Sequence, residues 1–77
     1  MNHRALILHI LRNVKNGSYL NRTTIEIAME HEENVKILNA FRDIDRNGLL
    51  NYKTVAEGNK EIIGITAAGE RFLRENI

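Results

Sequence analysis

A chain of 77 residues holds one compact core, and at 43% hydrophobic and 27% charged residues it is too apolar for disorder and too polar for a membrane protein. The formal net charge of +1 provides no large field to draw the chain onto a polyanion, and the absence of cysteine removes disulfides, thiolate metal sites and thiol catalysis together. No apolar run approaches the roughly 20 residues of a bilayer span, and Met1-Asn2-His3-Arg4 leads into an amphipathic stretch without a small-residue cleavage site, so a cytoplasmic protein is expected.

Over residues 4–16, Leu6, Ile7, Ile10, Leu11 and Val14 recur at helical spacing, while His9, Arg12, Asn13 and Asn16 fall on the other side. This predicts a first helix buried on one face and closed near Asn16-Gly17, followed by a connector or very short strand. Thr23-Thr24-Ile25-Glu26 has the spacing of a capping box, which places the start of a short second helix there, with Ile25, Ala28 and Met29 inward. A third helix is expected over residues 33–47, with Ile37, Leu38, Phe41 and Ile44 as its apolar face and Gly48 as its stop. At about 100° per residue, its opposite face carries Lys36, Asn39, Arg42, Asp43 and Arg46.

After Gly48 the pattern changes. Residues 49–55 and 61–66 are short β-branched or aromatic runs separated by the turn 56–60, which predicts a β-hairpin. Thr66 then precedes Ala67-Ala68-Gly69-Glu70-Arg71-Phe72-Leu73, where it can cap a last helix that folds Ala68, Phe72 and Leu73 onto the core. Gly64 suits a strand irregularity and Gly69 a close helix approach. The expected class is mainly α with a small β-hairpin (α+β), as one domain over residues 1–77.

Two segments carry a family resemblance. Leu38-Asn39-Ala40-Phe41-Arg42-Asp43-Ile44-Asp45-Arg46-Asn47-Gly48-Leu49-Leu50 looks like a recognition helix ending in glycine and running into a first wing strand. Ile65-Thr66-Ala67-Ala68-Gly69-Glu70-Arg71-Phe72-Leu73 is similar to the start of the last helix in many winged-helix regulators. With the first helix included, the chain resembles a winged-helix (winged helix-turn-helix) domain, and in size and element order the small bacterial and phage YjcQ-like proteins. The resemblance implies three helices, a two-stranded wing and a closing helix. Members often bind DNA, and others serve protein contacts.

If the third helix enters a major groove, Asn39, Arg42 and Lys36 lie near base edges and Arg46 on phosphate, with Lys53 and Lys60 on the wing and Arg22 before the second helix adding backbone contacts. These cations also have acidic neighbours, Asp43, Glu32 and Glu33, so they serve equally as solvated side chains of amphipathic helices. DNA recognition is expected to present Lys36, Arg42, Arg46 and Lys53 as one uninterrupted surface. A protein-interaction adaptor or homodimer instead presents an apolar patch there or on the first helix, and two or more of Leu8, Ile27 and Val35 contiguous with Tyr19, Tyr52 or Ile77 would form one.

Other chemistries find incomplete motifs. Residues 43–50 match the first half of an EF-hand calcium loop, but position twelve is Thr54 rather than glutamate, and Ile44 continues the helical stripe. His31-Glu32 opens like a zinc-protease motif, but Val35 stands where the second histidine belongs, so His3, His9 and His31 read as solvent-exposed side chains. There is no nucleophile elbow and no phosphate-binding glycine loop, so no enzymatic activity and no cofactor are expected.

Overall fold

The computed structural model describes residues 1–58 and 60–76. Helix α1 (His3–Lys15) is followed by α2 (Arg22–Ala28) and α3 (Asn34–Arg46), then strand β1 (Leu50–Thr54), a 3-10 turn (Ala56–Gly58), strand β2 (Lys60–Ile65) and helix α4 (Ala67–Glu75). The expected α+β layout of three helices, a hairpin and a closing helix is therefore the observed one. No helix among the described residues is long and apolar enough to cross a membrane. Asn59 of the expected turn and Ile77 of the candidate apolar patch lie outside the described residues.

Helix α1 is central, touching α3 on one side and β2 and α4 on others. Cover on several sides widens its buried face, so Leu8, expected as an exposed residue of an apolar patch, is instead buried with Leu6, Ile7, Ile10, Leu11 and Val14 and belongs to no surface patch. Phe41, Ile37 and Ile44 of α3 complete the same core with Ile25, Met29, Leu49, Leu50, Ile62 and Leu73. Ala40 is fully buried on α3, whereas Leu38, expected in the apolar face, turns outward and is 47% exposed. The reason is angular: Leu38 lies about 100° around α3 from Ile37, at the rim of the buried arc that Ile37, Ala40, Phe41 and Ile44 fill.

The second helix begins earlier than the Thr23/Glu26 spacing implies. Asn21 is its cap, the side-chain oxygen accepting from the Thr24 amide at 2.8 Å, so Thr23 lies inside the helix and Ala28 at its end is exposed rather than inward. An asparagine three residues before an amide donor caps as well as threonine does. Thr66 caps α4 as expected, accepting from the Gly69 amide at 2.9 Å, and its hydroxyl also donates to the Gly48 carbonyl at 2.6 Å. Gly48, at φ +61°, turns the chain out of α3, and the Leu49 amide closes that end on the Ile44 carbonyl at 3.0 Å.

The two strands are antiparallel, pairing Leu50 with Ile65, Asn51 with Gly64 and Tyr52 with Ile62, so Ile63 is the extra residue of a bulge. Residues three apart on a regular strand face opposite sides; the bulge returns Ile62 and Ile65 to the same inward face, with Ile63 outside. The irregularity expected at Gly64 thus falls next to it. On its other edge, β2 receives the connector between α1 and α2, where the Ile62 amide donates to the Leu20 carbonyl at 2.7 Å. A single bond represents the very short strand that the sequence suggests there.

Candidate nucleic-acid interface

The outward pole of α3 carries Val35, Asn39, Arg42 and Arg46, with Leu38 beside them, and all five are exposed. Helical geometry explains the grouping, because residues three, four and seven apart stack on one face. The two carboxylates of α3 lie on its flanks. Asp43 accepts from His3 Nε2 at 2.6 Å on the α1 side, and Asp45 accepts from the Tyr52 hydroxyl at 2.7 Å on the hairpin side. Arg46 Nη1 stands 3.9 Å from Asp43, a long contact for a side chain that remains largely in water. Asp43 and Asp45 sit on regular helix, so the alternate positions of the half-matched calcium loop are not presented by a loop.

Lys36 belongs to the α1 flank rather than to the pole. With Asn39 it lines a cavity of about 200 Å3 that Met1, Asn2, His3 and Leu6 complete. Glu32, just before α3, takes the amino-terminal ammonium at 2.8 Å, and that contact holds its carboxyl below the ordinary carboxylate range. Asn39 borders both this cavity and the pole.

Arg22 and Lys60 come together in a groove of about 610 Å3 between the start of α2 and the hairpin, which Asn21, Thr24, Val55 and Glu61 also line. The Arg22 guanidinium lies 4.4 Å from the Phe41 ring centroid, and Lys60 Nζ lies 5.8 Å from that of Tyr52. The Phe41 ring attracts Arg22 at close range through its quadrupole, while Lys60 stands near the outer limit of such a contact with Tyr52. Burial and the Asp45 carboxylate together raise the Tyr52 hydroxyl well above the usual phenol value, so it stays protonated as the donor in this network. Lys53 is exposed on β1 and faces Glu61 across the hairpin, and Lys36 lies on the α1 flank, so Lys36, Arg42, Arg46 and Lys53 do not form the one uninterrupted surface expected of a DNA reader; only Arg42 and Arg46 share the pole.

Several residues important to this surface carry no clear signal in the sequence. Val35 is legible as lying opposite the stripe, but Leu38 reads as core, and the partnership of His3 with Asp43 needs α1 and α3 side by side. His9 is half-buried rather than exposed, with Nε2 at 3.1 Å from the hydroxyl of Tyr19, itself buried and so outside any surface patch. Among the described residues no group of three or more histidines and carboxylates converges as a metal site. Comparison of the chain with protein-family models, with curated proteins and with solved structures gives no match.

Proposed function

We propose that this chain is a winged-helix DNA-binding module that presents α3 to the major groove and its hairpin to the flanking backbone. The observation that carries this is the outer stripe of α3, where Asn39, Arg42 and Arg46 are exposed together while both aspartates of the helix are engaged on its flanks. Asparagine and arginine are the side chains whose paired donors and acceptors fit base edges, and Arg46 one turn beyond Arg42 suits a phosphate. Arg22 and Lys60 at the groove, and Lys53 on the outer strand, supply further backbone contacts. Lys36, turned toward the start of α1, is left out of the reading face.

The test is titration of a labelled random-sequence duplex at low and at physiological salt. Two to four phosphate contacts per protomer give a slope of log affinity against log salt of about −2 to −4. Absence of binding at both salts overturns the proposal.

A second use, as a protein-interaction or homodimerising module, is favoured by a different observation. Leu20 and Ile63 are 60% and 63% exposed on segments joined by the Leu20–Ile62 bond, and Ile27 is 68% exposed on α2. A dimer mass in solution that reverts to monomer when Leu20 and Ile63 become serine would support that use.

A further inference from the structure

The stripe on α3 has an apolar component that phosphate contact does not explain. Val35 and Leu38 are 56% and 47% exposed, one helical turn apart. Asn39 follows Val35 by four residues, and Arg42 follows Leu38 by four, so the four side chains tile one continuous patch in which two hydrocarbon groups alternate with two hydrogen-bonding groups. Asp43 and Asp45, held by His3 and Tyr52, stand to either side and keep carboxylates off it.

We propose, resting on the reading that α3 enters a DNA groove, that this patch selects thymine-bearing sites, with Val35 and Leu38 packed on thymine 5-methyl groups and Asn39 and Arg42 bonding the neighbouring purines. Thymine is the one base that offers a methyl to the major groove, and the adenine paired with it offers the N6 donor and N7 acceptor that an asparagine amide matches in two bonds. Guanine O6 and N7 match the fork of Arg42 in the same way. A protein partner fits the patch less well: two aliphatic side chains bordered by Asn39, Arg42 and Arg46 fall far short of the roughly 800 Å2 per partner of a stable interface. Among the described residues the other large exposed apolar side chains, Met1, Leu20, Ile27 and Ile63, lie outside α3.

The experiment uses the full chain and a random duplex library carried through rounds of selection, after which the enriched duplexes are resynthesised with deoxyuridine in place of thymidine. That replacement removes the methyl and nothing else. The expected result is weaker binding of the uracil duplex, about fourfold for each methyl buried. In Val35→Ala/Leu38→Ala, two exposed substitutions that leave the core intact, the thymine and uracil duplexes bind alike. Arg46→Ala, the control, weakens both duplexes equally and preserves their ratio. Equal, salt-sensitive binding of thymine and uracil duplexes by the unaltered chain overturns the thymine inference and leaves DNA binding standing. Absence of enrichment and of binding at low salt overturns both. A dimer mass that reverts to monomer in Val35→Ala/Leu38→Ala also overturns the inference, by assigning the patch to a second copy.

Discussion

Gly69 separates close packing from helix propensity most cleanly. It lies in the first turn of α4, is buried, and a Cβ built on it would overlap the Leu49 carbonyl oxygen and the Ile65 side chain. Propensity alone favours Gly69→Ala by at most about 1 kcal/mol. The overlap opposes it: one of the two neighbours is backbone, at the point where β1 leaves α3, and overpacking of this kind costs about 1 to 3 kcal/mol. With both neighbours closer than real Cβ atoms approach, the upper end applies, and the net loss is about 2 kcal/mol. For a domain of this size that lowers the melting temperature by about 8 to 16 °C. Gly64→Ala is the internal control, since nothing lies within 4 Å of a Cβ there and its φ is not positive. It should be neutral or stabilising by up to about 1 kcal/mol, because alanine has less freedom to lose from the unfolded chain. Thermal unfolding followed by circular dichroism reads both variants. A Gly69→Ala protein as stable as the original would refute the packing account of this glycine.

Thr66→Ala removes the cap of α4 and the bond to the Gly48 carbonyl together, and should cost about 1 to 2 kcal/mol by urea unfolding, with Thr66→Ser recovering most of it. Tyr52 is held protonated in the folded chain above the ordinary value of 10.0. The unfolded state therefore loses its proton first as the pH rises through 10, so stability falls from that point upward. In Tyr52→Phe this alkaline loss should be absent, at the cost of about 1 kcal/mol at neutral pH for the missing bond to Asp45; an unchanged alkaline profile would contradict the assignment. Arg42→Ala/Arg46→Ala should weaken duplex binding at low salt and make the salt slope shallower by about 1 for each phosphate that either arginine neutralises, while unchanged affinity together with an unchanged slope would remove both residues from the interface.

Local signals in the chain are accurate where one segment suffices to decide the outcome. Thr66 three residues before Gly69, and Gly48 after the last apolar turn of α3, are recognisable because caps and stops are chosen by backbone geometry within a few residues. Where two local solutions compete, spacing is a poor judge: Asn21 and Thr23 both offer a capping oxygen, and the chain uses the earlier one. Leu8 and Leu38 exchange roles for a tertiary reason. A helix wheel gives each residue a direction but not the width of the surface it meets, and α1 meets three elements where α3 has a whole side bare. The candidate site follows the same rule. Its cation types are evident from composition, whereas the meeting of Arg22 with Lys60, and of His3 with Asp43, depends on segments 38 and 40 residues apart.

The paired hydrogen bonds at Thr66 have a consequence for how the hairpin can change. The Thr66 hydroxyl reaches the Gly48 carbonyl and its amide reaches the Leu49 carbonyl at 3.1 Å, so the chain leaves and rejoins the helical body at one doorway. The strands beyond that doorway stay tied to the body by Leu50 and Ile62 in the core and by the Leu20–Ile62 bond, so only the exposed tip at Ala56–Gly58 projects from it. Lengthening that tip between Ala56 and Glu57 adds only loop-closure entropy, about 0.6 kcal/mol for each doubling of loop length, and leaves the body fixed. The tip is therefore the natural place to insert a fluorescent or affinity peptide, and the place where related chains could diverge in length while keeping the same body.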